Sequence, residues 1–377
     1  MEGHTSFVSS VAQLLLRIPA VAVFLDSHVK VCQRGPRGLC VSCLLWGVQL
    51  QLKMTSQELA TCRDPLPSLL LRDALLGDCT AKAEYDAALF LLGLLHAAAQ
   101  EEKQGGRSQA SGYEAVVDGC SEVTHVERLF SFWEDQRMEC SCGTYNQRVC
   151  AKLMLDLPLP EQSGEEVTVG DLYLQYCLGP KGVEDQPRFS CTNCAKPTAK
   201  RMQRRVAGDP NVLVLRVMRA GSGQTSLRRD SVRPELRLDV LGLGKMDLWA
   251  VIYHAGSSVS TGHYHAVVRG ADGSFRQFDD RTKQGGGYRE VGEDMVEFQR
   301  QGAVHLMVYV RVGGSADFAE MCSAPVRQEA KIGEAAESKK TTAATVATSF
   351  DKSAPLVSTP PRKSRRSAFP TNAAPAP

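Results

Sequence analysis

The chain has 377 residues, 43% of them hydrophobic, and its 44 basic and 42 acidic side chains leave a net charge of +2. That is enough for one large domain or two ordinary ones with a sizeable core, and so even a balance does not call for nucleic acid or an anionic membrane as partner. No run reaches the roughly eighteen apolar residues of a membrane span, no basic-then-apolar secretion signal opens the chain, and thirteen cysteines are an odd number for a disulfide framework, so a cytosolic or nuclear protein whose paired thiols bind metal is expected.

Residues 1 to about 103 read mainly as helix. In "GHTSFVSSVAQLLLRIP" (3–19), Phe7, Val11, Leu14 and Ile18 recur at helical spacing, Thr5 or Ser6 offers a cap, and Pro19 marks the end. "EYDAALFLLGLLHAAAQEEK" (84–103) is apolar over most of its surface and reads as a deeply buried helix. After the polar loop "QGGRSQASG" (104–112) the pattern turns to short β-branched or aromatic segments, at 211–219, 248–254, 264–269, 274–278 and 304–312. Asp272-Gly273 between two of them signals a tight hairpin. From about residue 314 the chain is rich in Ala, Ser, Thr, Pro and Lys, the composition of a disordered tail. Its Arg362–Arg366 cluster reads equally as a nuclear import signal or a solvated basic patch.

Two kinds of chemistry stand out. Cys191-x-x-Cys194 and Cys40-x-x-Cys43 each set two thiolates on one knuckle, a half-site for tetrahedral zinc. In "YHAGSSVSTGHYHAVVRGADGSFRQFDD" (253–280), His263 lies between a Gly/Ser-rich loop and a strand, and Asp279 closes the strand after the Asp-Gly turn. A hairpin joins those outer ends, so an imidazole and a carboxylate meet at one rim. The spacing is not symmetric about the turn, so His263 needs a bulge or a loop position. A carboxylate there fixes the imidazole tautomer and stabilises its protonated form. The alternative is a satisfied pair at a sheet edge.

These stretches resemble the ubiquitin-specific proteases, a family of thiol deubiquitinases. The family opens with Gly-Asn-Thr-Cys-(Tyr/Phe)-Met-Asn-Ser before an apolar helix; Gly3, Thr5, Phe7, Ser10 and Gln13 fit, and His4, Ser6, Val8 and Ser9 depart. Residues 253–280 are similar to its histidine box, with His254, Gly256, Gly262, His263, Tyr264, Phe278, Asp279 and Asp280 in place. Residues 188–219 look like its second zinc pair and core strand, and "HVERLFSFWEDQRMECSCG" like its finger region. "YDAALFLLGLLH" keeps Asp86, Ala87 and Phe90 of its Gln-Asp-Ala-x-Glu-Phe helix.

The resemblance covers about residues 1–312 and implies an α+β fold of the papain-like cysteine-protease superfamily. It would have a helical thumb (1–103), a β palm and β fingers (113–312), and a disordered tail (313–377). It implies hydrolysis of the isopeptide bond after ubiquitin's terminal glycine, with residue 6 as nucleophile, His263 as general base, Asp279 orienting it, and Asp280 beside them. Asp86, Gly262 and Tyr264 would line a channel for ubiquitin's tail, Asp86 meeting the tail's arginines. A structural zinc would sit on Cys140, Cys142, Cys191 and Cys194, although Cys140-x-Cys142 is tighter than the family's Cys-x-x-Cys and Cys150 could stand in. A second structural site, as in some members, would use His28, Cys32, Cys40 and Cys43. The implied partner is ubiquitin or a ubiquitinated protein, the implied state a monomer; no catalytic cofactor, nucleic acid or membrane is implied.

Ser6 alters the expected chemistry. A serine hydroxyl is far less acidic than a thiol and needs the base to take its proton during attack. The resemblance also sets Met1 where the family has an oxyanion-stabilising Asn, and that side chain donates nothing. The leading expectation is a domain that recognises ubiquitin with hydrolysis weakened or lost. The alternatives are a working deubiquitinase and a zinc-stabilised scaffold that no longer meets ubiquitin.

Overall fold

Helices come first along the chain. In the structure, a computed structural model, the described residues are 6–32, 40–51, 86–106, 123–140, 142–160, 166–178, 191, 193–195, 199–220, 227–258, 261–270, 272–279, 288–292 and 302–311. Helix α1 (Ser6–Leu16) is buried around nearly its whole circumference, with Phe7, Val8, Val11, Leu14 and Leu15 all inside. Pro19 does more than stop it. Its fixed φ and missing N–H suit a first helical turn, and it opens α2 (Pro19–Val31), bent 92° from α1. Next come α3 (Val41–Gln51) and α4 (Ala87–Gly106). A carboxylate from α4 caps α3: Glu101 accepts the Val41 backbone N–H at 2.9 and 3.0 Å, where the helix dipole favours an anion.

Helix α4 is less deeply buried than its apolar surface suggests. Leu89, Gly93, His96 and Gln100 form an exposed stripe at helical spacing, while Phe90, Leu91, Leu94, Leu95 and Ala98 face inward. The rings of Phe7 and Phe90 meet in a T-shaped arrangement with centroids 5.2 Å apart, which fixes α1 against α4. The short α5 (His125–Phe130) opens with a Thr124/Glu127 capping box.

Strands β1 (Phe132–Cys140), β2 (Tyr145–Lys152) and β5 (Ala199–Ala207) form an antiparallel sheet in the order β2-β1-β5, the fingers. The palm sheet contains β3 (Leu155–Pro158), β6 (Val212–Met218), β9 (Gly244–Ser258), β10 (Thr261–Arg269), β11 (Phe275–Phe278), β12 (Tyr288–Val291) and β13 (Ala303–Arg311). Their order is β12-β11-β10-β9-β13-β6-β3, and β8 (Arg237–Val240) also pairs with β9. A small parallel pair, β4 (Val167–Thr168) and β7 (Val232–Arg233), flanks α6 (Val169–Leu178).

The palm sheet is covered on both faces. Ala250 and Ile252 of β9 join the core under α1–α4, while Val251 and Tyr253 join a second core under α6. Burial on both faces explains the near-continuous apolar runs that mark these strands in the sequence. Finger and palm meet at Glu134, a fully buried carboxylate on β1. Lys152 stands 2.5 Å away, Arg204 3.6 Å, and the Tyr176 hydroxyl of α6 donates to it. An interior anion is tolerable only with partners this close.

Among the described residues the cysteines form no disulfide, as a thiol-for-metal reading requires. Among the described residues no single helix is long and apolar enough to cross a membrane. All of them fall in one compact unit, Met1–Ala324. The expected tail at 313–377, its basic cluster and most of the 104–112 loop lie outside the described residues.

Candidate active site

The His263–Asp279 offset is a diagonal of the β10–β11 register, and the irregularity beside His263 lies on the β9 side. Thr261 pairs with Ser258 of β9 and His263 with Ala255, so the extra residue is in β9, opposite Gly262. On the other side Ala266 pairs with Phe278. Continuing that register sets Asp279 across from His265 and diagonal to His263, within reach on one face. The His263 Nε2 to Asp279 Oδ1 distance is 2.7 Å, and the imidazole is buried. With Nε2 engaged by the carboxylate, Nδ1 is the nitrogen left to act as a base.

Ser6 is the first residue of α1, which packs across β10. Beyond the end of β11, the Tyr264 backbone N–H donates to Ser6 Oγ at 3.2 Å. The head of a helix, the positive end of its dipole, therefore abuts the peptide that follows His263. Ser6, His263 and Asp279 come together from two distant parts of the chain. Asp280 lies outside the described residues. The neighbouring imidazoles are held neutral: burial lowers His265 to about 4, against the pull of the Asp279 charge. Burial, reinforced by His305, likewise lowers His254 to about 4.

Gly262 is required by His254. A Cβ there would run into His254 Nε2 and come within 3.1 Å of the Ala255 carbonyl oxygen. Gly262→Ala should therefore displace the bulge and cost about 1–3 kcal/mol of stability. Denaturant unfolding checks this, and an unchanged midpoint would contradict it. The Tyr264 ring lies between His254, at 4.6 Å, and His305, at 5.5 Å.

Asp86 stands just before α4 and caps it, its Oδ1 accepting the N–H groups of Ala88 at 2.7 Å and Leu89 at 3.1 Å. The same oxygen meets His305 Nε2 at 3.0 Å. Burial alone would raise this carboxyl. The His305 bond and charge, with the two amides, outweigh that and hold it at about 2. His305 is absent from the sequence-based site. The available signal was a lone polar residue inside the apolar run "VHLMVYV".

Both candidate metal sets converge, each with its four donor atoms within 4.8 Å of one another. In the fingers, Cys140 and Cys194 sulfurs are 3.5 Å apart and those of Cys142 and Cys191 3.7 Å. Two thiolates on a tetrahedral zinc with bonds near 2.3 Å stand about 3.8 Å apart, so this set can hold zinc despite its short Cys-x-Cys. Cys150 lies elsewhere, near the Glu134 carbonyl. In the thumb, His28 and Cys32 from the end of α2 meet Cys40 and Cys43 at the start of α3, with His28 Nε2 3.1 Å from Cys40 Sγ. Neither set adjoins the Ser6–His263 site, so any zinc here is structural.

The model of the ubiquitin carboxyl-terminal hydrolase family matches residues 2–285, and the protein belongs to that family. Its fold is similar to that of the SAGA DUB module Ubp8/Sgf11/Sus1/Sgf73 bound to monoubiquitin, with TM-score 0.61 and 18% identity over 82% of this chain and 67% of that one. The same module bound to ubiquitin aldehyde gives 0.61 and 18% over 82% and 68%. A yeast SAGA module with a variant Sgf73 gives 0.61 and 18% over 82% and 66%. The thumb, palm and fingers are thus those of a ubiquitin-specific protease.

Proposed function

We propose that the protein recognises ubiquitin and its C-terminal tail, and that its hydrolysis of the bond after ubiquitin's terminal glycine is weakened or lost because a serine occupies the nucleophile position. The observation that carries this reading is the Tyr264 N–H to Ser6 Oγ bond beside the His263–Asp279 pair. Ser6 is then the attacking residue, His263 Nδ1 the base, and Asp279 the group that holds the imidazole. Asp280 is assigned beside them on resemblance alone. Gly262 and Tyr264 flank the tail's path, and Asp86 meets a tail arginine. Binding of ubiquitin by the solved Ubp8 modules supports ubiquitin as the partner.

The hydroxyl explains the expected loss. A thiol here can ionise in advance, aided by the helix head and an imidazolium. A serine stays protonated until attack, and a donated amide N–H ties up part of its oxygen lone-pair density. A fluorogenic ubiquitin substrate and ubiquitin calorimetry on one purified preparation test the reading. Binding with turnover near background is expected. Turnover abolished by His263→Ala would replace it with a working deubiquitinase, and absence of both binding and turnover with a scaffold.

A further inference from the structure

The palm sheet carries a second bulge, in β13. In β13, Val304 pairs with Tyr253 of β9 and Leu306 with Ile252, so residue 305 is the extra one. On the other side of β9 the extra residue belongs to β9 itself, opposite Gly262. Bulges next to active sites re-aim side chains. The bulge in β13 delivers His305 across to Asp86 at the head of α4, joining palm to thumb.

The contacts of His305 are one-sided. Its Nδ1 is buried with no hydrogen-bond partner among the described residues, while Nε2 contacts Asp86. Nε2 is therefore the nitrogen through which His305 holds Asp86. Oδ1 of Asp86 takes all the donors seen, namely Ala88, Leu89 and His305. No described residue donates to Oδ2, and the side chain is 19% exposed.

We propose that His305 is a positioning residue for tail recognition: by clamping Oδ1 of Asp86 it turns Oδ2 toward an arginine of the ubiquitin tail and so sets the preference for a cationic tail. This rests on the ubiquitin reading above. A group that merely filled space would have no such dependence on the tail's charge.

The test is a double-mutant cycle by calorimetry, pairing the full chain with ubiquitin and with ubiquitin whose tail arginines are alanine. His305→Phe should weaken wild-type ubiquitin roughly tenfold, the scale of one charge-assisted hydrogen bond. It should have little further effect on the alanine-tailed form. His305→Gln, which still donates, should stay within about twofold of the parent. Asp86→Asn should show the same coupling to the tail, and it supplies the answer if His305→Phe does not fold. Equal losses for both ubiquitins, or no loss, would overturn the role of His305 and leave the ubiquitin reading standing. Failure of the parent chain to bind ubiquitin at all would overturn both.

Discussion

Ser6→Cys should convert the protein into one that reacts covalently with ubiquitin carrying a thiol-directed warhead. Residue 6 is buried at the head of α1, and its side-chain atom already accepts a backbone N–H. A thiolate there would gain from that donor, from the helix dipole, and from His263 oriented by Asp279. Removing a triad nucleophile costs about a millionfold in subtilisin, so restoring one should raise kcat/KM by at least about a hundredfold, even with an imperfect oxyanion site. Recovery should be partial. The side chain of Met1, at the oxyanion position implied by resemblance, donates nothing, a deficit of roughly a hundred- to a thousandfold. The unmodified chain, with its thirteen cysteines, is the control: a label on it would come from another thiol. Mass spectrometry should find the adduct on residue 6, and His263→Ala in the Ser6→Cys background should suppress it. A Ser6→Cys protein that binds ubiquitin tightly yet forms no adduct would refute the catalytic geometry drawn from Ser6, His263 and Asp279.

What the sequence disclosed tracks how locally each feature is encoded. The palm strands are buried on both faces, so their apolar runs stand out, and the hairpin spacing alone showed that His263 and Asp279 are not directly opposed; the register makes them a diagonal pair with His263 inside β10 instead of at a bulge or loop position of its own. The metal sets were legible because chelation needs close pairs such as Cys191/Cys194 and Cys40/Cys43. The finger strands were harder. β5 reads "AKRMQRRVA", a polar ribbon whose sheet buries one face only in part, so little apolar periodicity marks it. Helix α2 was hidden because Pro19 ends one helix and starts the next, and residue type alone does not separate those roles. His305 was invisible for a different reason. Its role depends on a bulge in β13 and on a carboxylate 219 positions away, and no local pattern records such a meeting.

Each chain should carry about two zinc ions, and removing them should affect two regions unequally. The finger set is prepared for metal: hydrogen bonds from Thr144, first from its side chain, lower the Cys142 thiol to about 6. The thumb set is not, since burial raises Cys43 to about 11 and Cys40 further still. A cation there would displace those protons, so a bound metal would stabilise this corner. The finger set lies at the tip, beyond Cys140 at the end of β1, while the base of the finger is held separately by Glu134, Lys152, Arg204 and Tyr176. Cys191→Ser should therefore remove one zinc by elemental analysis and expose amides near the tip to hydrogen exchange, with a modest fall in Tm. Cys43→Ser also removes one zinc but loosens the junction of α2 and α3, which packs in the core that holds α1. Its cost should be several kcal/mol, lowering Tm by roughly 10 °C. It should also weaken ubiquitin binding, because the head of α1 loses part of its support. A chain with well under one zinc, or a finger variant that destabilises more than the thumb variant, would contradict this division of labour. The metals would then not be what fixes Ser6 in place.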